Sequence, residues 1–266
     1  MTPTLSALHI FPVKSCAPLV LDAAAVEPRG LRDDRRWIVT DANGKFLTGR
    51  QHPRLTLLHA MPDAGAIALS APGMPPLRLE APAGGTRVDV VVWTNTVAAQ
   101  PAGDVANAWI SAFLGMPARF AYMDDGCARP VNPDYAKPGD EVSFADAFPM
   151  LLISEGALDA LNAKLEVPVP MLRFRPNFVV ANTAPHAEDG WKRVRIGEIE
   201  FDVVKPCSRC VFTTVDFERG AFDPSGEPLK TLTTYRRGER GVTFGQNVIP
   251  RGTGTVRVGD QVEVLA

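Results

Sequence analysis

Cys207 and Cys210 stand three positions apart around Ser208 and Arg209, with Val203-Val204-Lys205-Pro206 before them and Val211-Phe212-Thr213-Thr214-Val215-Asp216 after. A thiolate is a nucleophile and a soft metal ligand, and a neighbouring arginine favours the ionised form. Pro206 lacks a ladder donor, so a central strand is expected to stop there and release the thiols onto a loop anchored in a sheet on both sides. Such a pair serves a zinc site, a redox dithiol or a thiolate ligand to a soft, high-valent or late metal; two buried small hydrophobes are the inert alternative. Zinc needs four ligands, yet Cys16 and Cys127 are isolated and His9, His52, His59 and His186 show no finger-like spacing. A thioredoxin-like dithiol would open a helix, whereas residues 211–215 are β-branched and aromatic and are expected to form a strand.

Other polar residues stand at strand ends or in loops: Lys14, Ser15, Arg35, Arg50, Asp146, Arg175, Asn177 and Asn247, together with Ser208 and Arg209. An arginine fork holds a planar oxyanion through parallel hydrogen bonds, each charge-assisted bond contributing about 1.5–3 kcal/mol. Taken singly, each is more commonly a solvated or ion-paired surface group, and spacing alone does not bring them together.

The elements that must position these groups are mostly short strands. Residues 5–11, 18–21, 37–40, 45–48, 55–61, 66–70, 77–80, 86–93 and 96–100 read as strands punctuated by Pro and Gly, with a hairpin turn at Asp41-Ala42-Asn43-Gly44. Their even spacing suggests a barrel, followed by a helix over 104–114. The segment 124–142 is a long, proline-rich loop. Residues 150–153 form a buried strand, Ser154 caps a helix reaching Leu165, and strands follow at 178–181, 194–196 and 199–204. A short helix over 227–236 and a closing strand over 256–264 complete a second barrel. The expected fold is mainly β with some α: a β-barrel domain over 1–122, then a β-barrel domain with peripheral helices over 123–266.

Composition narrows the class. With 45% hydrophobic and 22% charged residues the chain reads as globular, and a net charge of −2 argues against sequence-blind binding of nucleic-acid polymers. The start has no basic export region, no apolar run reaches membrane-spanning length, and four cysteines do not make a disulfide framework. A cytoplasmic protein without a membrane partner is expected.

Phe11-Pro12-Val13-Lys14-Ser15-Cys16, Asp34-Arg35-Arg36-Trp37, Thr48-Gly49-Arg50-Gln51-His52-Pro53-Arg54-Leu55, Arg173-Phe174-Arg175-Pro176-Asn177, the cysteine loop through Asp216, and Phe244-Gly245-Gln246 together resemble the MOSC superfamily over almost the whole chain. The likeness is to the branch of the mitochondrial amidoxime-reducing component and its bacterial relatives, in which an N-terminal MOSC β-barrel domain precedes the MOSC domain. It implies a molybdenum–molybdopterin cofactor in the cleft between the two, with Cys210 as the thiolate ligand and catalytic residue, and Cys207 as the non-ligand. By the same resemblance Lys14, Ser15, Arg35, Asp146, Arg175, Asn177, Ser208 and Arg209 line the pterin and its phosphate, with Asn247 where some relatives carry Tyr.

The implied activity is reduction of small N-hydroxylated substrates. Because the chain has no further cysteine cluster after the closing strand, a separate electron donor of iron–sulfur, flavin or cytochrome b5 type is expected. MOSC domains are also appended to the cofactor sulfurase, which implies the alternative of a sulfur or cofactor carrier using a persulfide on Cys210. A non-catalytic binding module would explain the barrels but not the clustered loop motifs.

Overall fold

The computed structural model describes residues 2–239 and 241–266, and every element below lies among them. Thr4–Ile10 pairs with Phe178–Ala181 through a register shift between Leu5 and Ala7, and this bulge lets Leu5 and Leu8, three residues apart, both be fully buried. From that pair a barrel continues through Met150–Ser154, Gly241–Pro250, Ile199–Ser208, Arg193–Ile196 and Val262–Val264. The circle closes where Leu5 N–H donates to Asp260 (2.8 Å) and Val262 N–H to Pro3 (2.9 Å). Leu152, Phe178, Val180, Phe201 and Val248 belong to the core cluster that this sheet encloses. Closure pairs most of the strand edges, the stretch beyond Asp202 excepted.

Met150–Ser154 and Phe178–Ala181 run parallel and so need a crossover, which the helix Glu155–Asn162 supplies. Ser154 starts that helix: its Oγ accepts from Ala157 N–H and donates to the buried carboxylate of Glu188 (2.6 Å). The helix stops before Leu165, because the Asn162 amide turns back to clip both backbone groups of Val169.

A second β unit follows the bend after residue 31. Trp37–Thr40, Arg119–Tyr122, Asn95–Pro101 and Val88–Val92 form one sheet, and His59–Asp63, Ala66–Ser70 and Leu77–Glu80 another. Trp109, Ile110 and Phe113 of the helix Asp104–Leu114 join Trp37, Leu55 and Phe120 in its core. The sequence division at 122/123 is crossed in space: Thr4–Ile10 lies in the barrel sheet, and Ala23–Glu27 pairs with Gly254–Arg257. Among the described residues no helix is long and apolar enough to cross a membrane.

Local expectations failed where tertiary contacts decided the backbone. Residues 45–48 make only isolated bridges, since Asp41 Oδ1 accepts from Asn43 and Lys45 N–H and holds the turn wide. The strand expected over 55–61 opens as a 3₁₀ turn, Pro53–Leu57, because Pro53 presets its first residue. The closing strand is two, Gly254–Arg257 and Val262–Val264, split by a turn at Gly259 (φ +96°). The short helix is Leu229–Tyr235.

Pro206 does not end its strand, which runs through Ser208. Arg193–Ile196 pairs with it only as far as Asp202, so one edge is free where the proline falls and no ladder bond is lost. The register with Gly241–Pro250 shifts between Pro206 and Ser208, opposite Gly245. Gly245 has φ +76°, and a Cβ there would meet Ile153 Cγ1 at 2.5 Å and Leu152 O at 2.8 Å.

Gly245→Ala is therefore expected to lower stability by about 2–3 kcal/mol, from left-handed backbone strain and overpacking together. Gly73→Ala, with similar φ but open space around it, should cost only about 1 kcal/mol. Urea unfolding midpoints of the two variants check the difference.

Candidate functional site

A cleft with a cavity volume of about 150 Å³, open to solvent on one side, lies where the barrel meets the N-terminal unit. Every residue singled out in the sequence lines it. Lys14 and Ser15 come from the turn after the first strand, Arg35 from the bend before Trp37, and Arg50 from the loop before Pro53. Asp146 precedes Met150–Ser154, while Arg175 and Asn177 lead into Phe178–Ala181. Ser208, Arg209 and Cys210 end Ile199–Ser208, and Asn247 lies in Gly241–Pro250. Sequence reasoning missed Arg173, Phe46 and Trp93, which share the wall. Arg173 stood inside a quoted motif and could have been found there; for Trp93 there was no local signal.

The wall holds Lys14, Arg35, Arg50, Arg173, Arg175 and Arg209 against a single carboxylate, Asp146. Lys14 Nζ donates to Asp146 Oδ1 (2.6 Å) and to the Phe144 carbonyl (2.7 Å). Burial removes the hydration of its ammonium and brings its pKa down to about 8, the Asp146 charge opposing. The Asp146 side chain is itself exposed; crowding by the surrounding wall would raise its carboxyl, but Lys14, the Trp93 indole N–H and Arg35 together hold it below the usual carboxylate range. Arg129, itself buried, fixes the loop that carries Asp146 by donating to the carbonyls of Ser143, Ala145 and Asp146.

Arg35 and Arg175 both lie over the Phe11 ring, at 4.5 and 4.0 Å. Arg35 is paired with Asp34, itself fixed by the Phe11 N–H. Arg175 has no carboxylate partner: Nη1 donates to the Cys16 carbonyl (2.7 Å), Nη2 is buried without a hydrogen-bond partner, and burial brings its pKa down to about 9. Arg173 Nη1 is likewise buried and unpartnered, although Nη2 lies 3.6 Å from Asp223. Incompletely paired guanidinium groups in the wall of a cleft suit an anion.

Not every predicted residue offers free donors. The fully buried Asn177 spends its amide on the His9 carbonyl, the Leu151 N–H and Arg35. Arg209 spends its fork on the carbonyls of Phe174 and Phe244. Asn247 Nδ2 donates to Lys205 O (3.0 Å). These side chains brace the wall around the donors that remain.

The thiols are unequal. Cys210 is exposed in extended backbone, its carbonyl accepting from Thr213 N–H and Oγ1. Cys207 packs against the cluster of Ile153, Phe174 and Phe244, and burial raises its pKa against the charge of Arg209. The strand expected over 211–215 is instead a 3₁₀ turn, Val211–Thr214, with only Val215–Asp216 extended, because Thr213 and Thr214 bond back to Cys210 and Val211. Gly49 lets the loop of Thr48 and Arg50 touch this turn: a Cβ there would lie 2.3 Å from the Phe212 ring. Among the described residues no three His, Cys, Asp or Glu side chains come together to hold a metal.

Ser15, Arg35, Trp93 and Arg175 line the cleft with φ between 51 and 69°. Left-handed backbone in such residues costs on the order of 1–3 kcal/mol each and persists only where surrounding contacts impose it.

The model of the MOSC N-terminal beta barrel domain matches residues 2–117, and that of the MOSC domain matches residues 139–263. Mitochondrial amidoxime-reducing component 1 of Homo sapiens is 34% identical, over 98% of this chain and 83% of its own length. That of Mus musculus is 35% identical, over 98% and 82%. The molybdenum cofactor sulfurase of Oryza sativa subsp. japonica is 29% identical over 91% of this chain, which spans 32% of that protein.

A pH dependence follows from Lys14. Its pKa is about 8 folded and 10.5 as the ordinary value, so between these the unfolded chain holds more protons and stability rises with pH. Above about pH 9 Cys16, raised to about 12 by burial, acts in the opposite sense. From pH 8 to 9 the unmodified protein is expected to gain up to about 1 kcal/mol that Lys14→Met does not, read from urea midpoints at each pH.

Proposed function

The chain belongs to the MOSC family, and on that premise we propose that it is a molybdenum-cofactor oxidoreductase reducing N-hydroxylated compounds. Hydroxylamines, amidoximes and N-hydroxylated bases would be converted to amines or amidines plus water. The observation that carries this reading is the gathering of Lys14, Arg35, Arg50, Arg173, Arg175 and Arg209 around the cleft that exposes Cys210. The printed names of the relatives, amidoxime-reducing component among them, support the reaction class.

The residues present fit a molybdenum–pterin group. A thiolate at Cys210 is a soft ligand, and the cationic side chains of the wall suit the anionic end of such a cofactor. When bound, it supplies two-electron oxygen-atom exchange. The chain's own part is to orient and to handle protons. Arg209 and Asn177 hold the loops that present Cys210 and Arg175. Lys14 Nζ, titrating at about 8, holds a proton at neutral pH beside Asp146. The overall change consumes two electrons and two protons per N–OH bond broken, leaving N–H and water; a separate iron–sulfur, flavin or cytochrome b5-type protein supplies the electrons.

A sulfur or cofactor carrier is the second reading, favoured by the exposure of Cys210 and by the likeness to part of the cofactor sulfurase. Native mass spectrometry separates the two: a bound molybdenum–pterin mass supports the reductase, and a sulfur adduct of ~32 Da on Cys210 supports the carrier.

Cys210→Ser is expected to lose both molybdenum and turnover of an N-hydroxy substrate, since a hydroxyl is a harder and far less acidic ligand, while Cys207→Ser keeps most of both. The opposite pattern would transfer the ligand role to Cys207. Arg175→Ala should weaken cofactor retention by about 2–3 kcal/mol, roughly thirty- to a hundredfold. Metal analysis together with the thermal midpoint of the cofactor-free protein checks it: full molybdenum occupancy with a lowered midpoint would make Arg175 structural.

A further inference from the structure

Beyond Thr48 the cleft opens into a second chamber walled by Phe46, Val91, Trp93, Lys45, Arg50 and Gln51. Phe46, Thr48, Arg50 and Trp93 border both spaces, so a molecule in the chamber can reach the cleft that exposes Cys210. The chamber is half open to solvent, with Lys45, Gln51 and Trp93 exposed, and its aromatic walls are flat. Phe46 and Trp93 meet edge to face with centroids 5.0 Å apart, and the Arg50 guanidinium lies 4.5 Å over the indole. The lining carries two cations, Lys45 and Arg50, and no carboxylate.

Trp93 is an unexpected residue for its position. It opens the two-residue turn between the paired Val92 and Asn95 with φ 55°, where glycine is the ordinary choice. It is also 45% exposed, whereas Trp37, Trp109 and Trp191 are buried. A chain that needed only a turn would gain from glycine, and one that needed only apolar burial would turn the ring inward. Instead the indole N–H is fixed to Asp146 Oδ1 (3.3 Å), which ties the ring to the same carboxylate that holds Lys14. Backbone strain, aromatic exposure and a tether to the cleft coincide on one side chain.

We propose that this chamber receives the body of the substrate, selecting flat aromatic N-hydroxylated compounds that bear an acidic substituent, with Trp93 and Arg50 as the selecting residues. The inference rests on the reductase reading for the reaction, but its binding step does not require molybdenum. An aromatic ring stacks within the corner of Phe46, Trp93 and the guanidinium. The acidic group pairs with the half-buried Arg50, not the exposed Lys45, while the N–OH end points toward the cleft.

The test titrates purified protein with 4-carboxybenzamidoxime, benzamidoxime and acetamidoxime, following the emission of the one exposed tryptophan and confirming affinities by calorimetry. The carboxylated probe is expected to bind about tenfold more tightly than benzamidoxime, and acetamidoxime not measurably. Arg50→Gln should erase the advantage of the carboxylate while keeping that of the ring. Trp93→Gly, which suits the turn, should bring benzamidoxime down to the level of acetamidoxime by calorimetry. Equal binding of all three probes by the unmodified protein, or an unchanged order in both variants, would overturn the proposal. So would loss of bound molybdenum from Arg50→Gln, which would assign that arginine to the cofactor. Unmodified protein that binds the probes in the expected order yet carries no molybdenum would support the chamber and count against the reductase reading alone.

Discussion

Buried positive charge is the constraint on which the rest of this structure depends. Five arginines and a lysine line a cleft whose lining has one carboxylate; Lys14, Arg173 and Arg175 are buried, the others half-buried, and isolated buried cations are costly. The protein offsets that cost without neutralising the charge. Phe11 offers its ring to Arg35 and Arg175, backbone carbonyls of Phe174 and Phe244 take the fork of Arg209, and Asp146 takes Lys14. What is left uncompensated shows in Lys14, depressed to about 8, in Arg175, depressed to about 9, and in guanidinium nitrogens with no partner. A site held in that condition favours an anionic ligand, because its cations are already placed and incompletely neutralised.

The architecture follows from that need. No single strand can present carbonyls and cations from many directions, so the wall is assembled from turns at the ends of strands far apart in sequence. The first strand brings Lys14 and Ser15 to the barrel, and the pairing of Thr4–Ile10 with Phe178–Ala181 sets them beside Arg175 and Asn177. Arg129 reaches from the proline-rich loop to pin the Asp146 segment, which gives that irregular stretch a physical role. Several of these turns use left-handed residues other than glycine, and the packing of both units sustains the strain.

The strand that carries the cysteines shows the same interplay. Its free edge beyond Asp202 admits Pro206, the bulge opposite Gly245 re-aims it, and the 3₁₀ turn after Cys210 fixes the exposed thiol by bonds to its own carbonyl. Gly49 then lets the N-terminal unit approach Phe212 closely enough for Arg50 and Trp93 to border the same space.

Sequence by itself determined the mainly β character, the helix at Asp104–Leu114, the neighbouring strands around 194–196 and 199–204, and the set of polar residues that turned out to share one cleft. These were legible because apolar periodicity, turn residues and motif order are local properties of the chain. Whether Pro206 ends a strand, whether residues 211–215 extend, and whether Thr4–Ile10 and Ala23–Glu27 stay with the N-terminal unit were decided by tertiary structure. Each depends on what lies beside the backbone, and a sequence does not state which edge is free. The same holds within the site. Asn177 and Arg209 carry the right chemistry in the sequence, but only the fold commits their donors to backbone groups and leaves those of Arg173 and Arg175 open. Hydrogen-bond satisfaction is a property of neighbours in space, not of residue type.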